Sequence, residues 1–160
     1  MSDKSVQCSD VADFSCQTNS SFDPVLELCV LGNKLLHAAY WYLLLEVVLS
    51  KDDPLTGLTR ELRDRGEASR KSAREIFSWL LNNKEMLRLT DIARPDIERL
   101  GVSNNYAVRM MALLDKWIED GVKYIMMSIV DEDLEEILRK MLDRHRSLAL
   151  DSQDMKRLDI

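Results

Sequence analysis

The chain has 160 residues, 46% of them hydrophobic and 31% charged, the makeup of one ordinary globular domain that needs neither metals nor disulfides to hold its core. Five glycines and three prolines are too few for the many tight turns of an all-β fold, while helix formers abound, so the class is all-α. A formal net charge of −6 supplies no overall field for nucleic acid or an anionic membrane, and an odd count of three cysteines argues for free thiols in a reducing compartment over a secreted disulfide framework.

Residues 1–22 are rich in Ser, Asp, Gln and Thr and read as a mobile N-terminal arm. A first helix is predicted from Asp23-Pro24, an N-cap followed by the residue best tolerated at the first helical position, to about Ser50. Its apolar residues, Leu28, Leu35, Leu36, Ala39, Tyr42, Leu43 and Val47 among them, wrap most of the circumference, so little of it can face water. The run Leu35 to Leu49 is short for a bilayer span and carries His37 and Glu46, which favours a deeply buried helix. With no apolar signal segment ahead of it and a charged DSQDMKRLDI at the end, the expectation is a soluble cytoplasmic protein without an anchor.

Asp53-Pro54 repeats the start signal, and a second helical stretch follows from Leu55 to Asn82, with Leu58, Leu62, Ala73, Ile76, Phe77 and Leu80 on one face. Gly66 interrupts it, and Arg63 to Arg74 is almost wholly polar. That pattern fits one long half-exposed helix or two helices meeting near Ser72. MLRLTDIARPDIERLG predicts one or two short helices around Pro95, stopped by Gly101. Ser103 or Asn104 caps the next helix, in which Ala107, Met110, Met111, Leu114, Trp117, Ile118, Gly121 and Ile125 recur at helical spacing. A last amphipathic helix opens at Asp131 to Asp133 and buries Leu134, Ile137, Leu138, Met141, Leu142 and Leu148. The expected architecture is six to seven helices around a central apolar one, with residues 23–150 forming the bundle and 151–160 a polar tail.

Phosphate-binding glycine loops, nucleophile elbows and zinc-protease motifs are all missing from the sequence, and its cysteines and histidines have no metal-ligand spacing. No enzyme, cofactor or metal is expected. Arg139 and His145 resemble the Arg-x-His pair of some small helical ribonucleases, but six positions turn them about 120° apart on a helix.

Three family resemblances can be drawn from the sequence. RLGVSNNYAVRMMALLDKWIEDG is similar to a helix-turn-helix, which would put Asn104, Asn105 and Tyr106 in a DNA groove and Arg109 and Lys116 on phosphates. Ile97 stands where that pattern wants a small residue, and Lys84 to Lys123 holds seven acids and seven bases. NKLLHAAYWYLLLEVVLSKDD resembles the first ferritin helix and its turn, and LRLTDIARP the long connection after the second. Where ferritins place iron ligands this chain has Leu35, Ser69, Arg70, Ala73 and Leu114. The resemblance therefore implies a subunit without an oxidase site, with too few residues for complete fourth and fifth helices.

The third resemblance covers most of the chain and is to the Bcl family of apoptosis regulators. LTRELRDRGE resembles its Leu-x-x-x-Gly-Asp motif through Leu62, Gly66 and Glu67, and GVSNNYA resembles its Gly-Val-Asn-Trp-Gly motif through Gly101, Val102, Asn105, Tyr106 and Ala107. VDEDLEEILRKMLDRHR resembles its sixth helix, whereas Val108 replaces its arginine, Arg65 and Ser69 replace apolar positions, and its membrane tail is missing. The resemblance implies a divergent inhibitor of apoptosis of viral origin, working in the host cytoplasm or at the mitochondrial surface, monomeric or dimeric. Its partners would be amphipathic pro-death helices held in an apolar groove. The groove residues expected on that basis are Leu62, Ile76, Phe77, Leu80, Leu87, Ile97, Val102, Asn105, Tyr106, Ala107, Arg109 and Met110, with Tyr106 and Arg109 as polar anchors.

Overall fold

A computed structural model describes residues 22–51, 57–92 and 103–159, with the side chains of the last helix described as far as residue 148. The described residues form four helices: α1 Pro24–Ser50, α2 Gly57–Asn82, α3 Asn104–Met126 and α4 Glu132–Asp159. The class is all-α as expected, but the described residues hold four helices and not six to seven.

Local chemistry sets the helix ends. The Asp23 carboxylate accepts from the backbone N–H groups of Val25 and Leu26 at 3.1 and 3.3 Å, and Ser103 Oγ accepts from Tyr106 N at 3.2 Å, each meeting a donor the helix cannot satisfy itself. Asp131 does the same for Leu134 N at 2.9 Å. At the end of α2, Lys84 takes a left-handed φ of 59° while Glu85 N donates to Leu80 O and Lys84 N to Leu81 O, the paired bonds of a Schellman stop.

α2 is one continuous helix through Gly66 and Ser72. Gly66 sits inside it because a β-carbon there would lie 3.3 Å from Tyr42 Cβ, and Gly32 on α1 leaves room for the Phe77 ring in the same way. Beyond α2 residues 85–92 form no helix or strand, so the start of the expected short helices is not helical; Pro95, Ile97, Gly101 and Val102 lie outside the described residues. α4 has 28 residues against 27 in α1, and it continues through the polar residues 151–159.

Cross-helix pairs give the directions. Gly32 meets Phe77, Tyr42 meets Gly66 and Glu46 meets Arg63, so α1 and α2 are antiparallel. Phe22 meets Tyr124, His37 meets Trp117 and Tyr42 meets Asp115, so α3 also runs against α1. Arg65 meets Leu148 and Glu75 meets Arg144, which sets α4 against α2. The strong contacts close a ring, α1 to α2 to α4 to α3. Because α2 and α3 are parallel, the chain must travel the length of the bundle between them, and its described part does so beside α1. Asn33 Nδ2 donates to Arg88 O at 2.9 Å, and Asn33 Oδ1 accepts from Thr90 N at 3.3 Å. This is a four-helix bundle with one long crossover.

Each helix gives the core a stripe at helical spacing: Leu28, Leu31, Leu35, Ala38, Tyr42 and Leu45 from α1, and Ala107, Met111, Leu114, Ile118, Val122 and Ile125 from α3. The most apolar helix is α1; by length and composition alone it could cross a bilayer, and half of its apolar window is buried in the bundle. α3 has a wet face carrying Asn105, Arg109 and Lys116.

Candidate functional site

Halfway along the bundle the apolar stripe of α2 is broken by polar residues that face inward. Glu61, Arg65, Ser69 and Ser72 are all buried, and Arg65 is only 1% exposed. The polar run of α2 is therefore not simply a solvated face. Its buried members fall at the spacing of Leu62, Ile76 and Leu80, the register that turns toward the core.

The Arg65 guanidinium is where the four helices converge. Its Nε donates to Glu61 Oε1 one turn back on α2 at 3.0 Å, its Nη1 to Asp115 Oδ2 on α3, and its Nη2 to Leu148 O on α4 at 2.8 Å. Tyr42 on α1 completes the group by donating to Asp115 Oδ1 at 3.1 Å. Burial alone would lower the Arg65 pKa, but Asp115, Tyr42 and Glu61 overcome it and hold the cation firmly charged. Burial raises the Asp115 pKa against the opposing pull of Arg65, and burial followed by the Asp115 charge raises that of Tyr42 well above its usual range. The group is a set of charge-assisted bonds that ties the four helices together.

About two turns further along α2 lies a second group. Ser72 Oγ is 3.3 Å from His145 Nε2 and accepts from Arg144 Nη1 at 2.9 Å, while Arg144 Nη2 pairs with Glu75 at 2.8 Å. Burial first, then the charges of Arg144 and Arg65, depress the His145 pKa from 6.5 to about 4, so its ring is neutral at neutral pH. Arg139 is not brought to this histidine; it is surface-exposed and paired with Glu135 at 2.7 Å. Ser69 Oγ, between the two groups in sequence, is buried without a hydrogen-bond partner among the described residues.

The positions where ferritins hold iron ligands mostly turn inward without donors suited to iron. Leu35, Ser69, Ala73 and Leu114 are buried and Arg70 is exposed. Among the described residues no three His, Cys, Asp or Glu side chains are grouped as a metal site requires.

The expected groove residues do not come together on one surface. Leu62, Ile76, Leu80 and Ala107 are core side chains with no exposure. Phe77, Leu87, Tyr106 and Met110 are half-buried against that core, Asn105 and Arg109 are exposed on α3, and Ile97 and Val102 fall outside the described residues. A different cleft of about 440 Å³ opens between α1, α2 and the crossover, walled by Leu36, Tyr40, Leu43 and Ile92 over Leu62, with Arg63 and Glu67 at its rim. Sequence reasoning missed both this cleft and the Arg65 group. The available signal was the spacing of Arg65, Ser69 and Ser72 in register with the core leucines.

No protein-family model matches the chain, and no curated protein matches it by sequence. The fold and its interior therefore define the molecule only as a four-helix bundle with a single long crossover and a buried ionic centre.

Proposed function

We propose that this protein is a ferritin-like subunit without an iron-oxidising site, a structural member of a helical assembly and not a catalyst. The observation that carries the reading is the long crossover between two antiparallel hairpins, the connection that distinguishes ferritin-like bundles from those joined by short loops throughout. The ferritin-like segments of the sequence fall on α1, its turn and the start of that crossover. Catalytic members of the class hold their metals on carboxylates and histidines facing into the bundle. This chain has Leu35, Ser69, Ala73 and Leu114 inside, with the Arg65 cation paired to Glu61 and Asp115 nearby.

Sedimentation of the purified protein tests the reading. A closed assembly many times heavier than the 18.5 kDa chain is expected, with aerobic oxidation of added ferrous iron no faster than in buffer. A monomer at all concentrations, or oxidation well above buffer, overturns it.

A second reading, as an inhibitor of apoptosis that holds pro-death helices, draws support from the apolar cleft beside Leu36, Leu43 and Ile92. Of the residues expected for that groove only Leu62 lines the cleft. Titration with amphipathic pro-death peptides tests it. Binding tighter than about 100 µM, lost on Leu43→Glu, favours this reading over the first.

A further inference from the structure

Where α4 meets α2, polar ties gather in one turn of α4. Arg144 Nη2 pairs with Glu75 at 2.8 Å, Ser72 Oγ accepts from Arg144 Nη1 at 2.9 Å and stands 3.3 Å from His145 Nε2, and Arg65 Nη2 donates to Leu148 O at 2.8 Å. The first half of α4 is held differently, by Leu134, Leu138, Met141 and Leu142 buried in the core. A charge added within residues 144–148 therefore acts on the attachment of one half of the helix.

His145 is the group in this turn that can change its charge. Ser72 Oγ already takes the Arg144 donor, so the Ser72 proton turns to His145 Nε2, which accepts it as a neutral imidazole. Protonation makes Nε2 a donor, and the Ser72 hydroxyl loses its acceptor. The surroundings oppose the added charge. Arg144 on α4 and Arg65 on α2, the charges that act on the ring, are both positive, while Glu75 on α2 is committed to Arg144, and Asp115 on α3 to Arg65 and to Tyr42 of α1. The ring is 5% exposed, so water does little to solvate an imidazolium there. We propose that this turn is an acid-released latch: a proton taken up by His145 breaks its contact with Ser72 and frees α4 from residue 143 onward from α2, with Leu134 to Leu142 still packed. The proposal does not rest on the ferritin-like reading.

A helical end without packing holds poorly in water, so the freed amides open to exchange. With the His145 pKa at about 4 in place and 6.5 when released, the open population should grow about twentyfold between pH 7 and pH 5. Hydrogen exchange of the full-length protein, corrected for intrinsic rates, tests the latch at the amides of residues 144–148. Their protection should fall by that factor in the unaltered protein and hold steady in His145→Gln, which keeps an acceptor beside Ser72 and takes no proton. Asp115, its pKa raised by burial, titrates in both proteins and drops out of the comparison. Arg144→Gln, which removes one of the repelling charges, should show a smaller fall than the unaltered protein. Urea at about 1 M separates local release from unfolding of the whole bundle, because a local release exposes little surface: exchange should quicken in α1 and barely change at residues 144–148. Steady protection in the unaltered protein overturns the proposal. So does an equal fall in His145→Gln, and so does a urea response at residues 144–148 that matches that of α1.

Discussion

Arg65 donates to groups on three helices, and the fourth reaches it through Tyr42, so its removal affects the whole bundle. Arg65→Ala removes the guanidinium from the largely buried Asp115 carboxylate and from Leu148 O, and should cost about 3–5 kcal/mol in urea unfolding. The nearby surface pair Arg63–Glu46, with Arg63 59% exposed, is the control: Arg63→Ala should cost less than about 1 kcal/mol. His145 makes stability depend on pH. Its folded pKa of about 4 lies below the ordinary 6.5, so the unfolded chain takes up the proton first. Its contribution is complete above pH 6.5 and is lost as pH falls from there toward 4, a decline of roughly 3 kcal/mol. Asp115, with its pKa raised by burial, acts in the opposite sense. The clean measurement is therefore the difference between the protein and His145→Gln, which should narrow by that amount over the same interval.

At the scale of elements, the crossover depends on one amide. Asn33 sits inside α1, donates to Cys29 O at 2.8 Å and to Arg88 O at 2.9 Å, and accepts from Thr90 N, so a side chain supplies hydrogen bonds that a non-helical segment beside a helix otherwise lacks. Asn33→Ala should destabilise by about 1–3 kcal/mol and speed amide exchange at Thr90 more than in α2 or α4. Unchanged exchange at Thr90 would show that apolar contacts alone hold the crossover. The one or two short helices predicted over residues 86–101 and the non-helical chain observed at 85–92 differ for a related reason. LRLT has helical propensity, but those residues must travel back along α1, and a strand covers about twice the distance per residue of a helix.

For the molecule as a whole, the buried charge is internal to the chain. An arginine does at the bundle centre what a bound cation does elsewhere, and no grouping of three metal ligands stands among the described residues. A ligand raises the melting temperature only through affinity for the folded state. Ferrous, manganous or zinc ions at up to about a hundredfold excess should leave the melting temperature unchanged, and a rise of several degrees would reveal a site.

What the sequence determined by itself was local: the all-α class, the limits of α1, a cap at Ser103 or Asn104, and the apolar stripes of α3 and α4 from Ala107 to Ile125 and from Leu134 to Leu142, because caps and 3.6-residue periodicity act within a few turns. The tertiary structure alone decided that Arg65, Ser69 and Ser72 lie inside. A polar residue on an inward register looks like a surface residue until its partners, Asp115 fifty positions away and His145 seventy-three away, are brought to it. It likewise decided that Ile76 and Leu80 fill the core while Leu43 and Ile92 border a cleft, since apolar residues differ in exposure only through what packs on them.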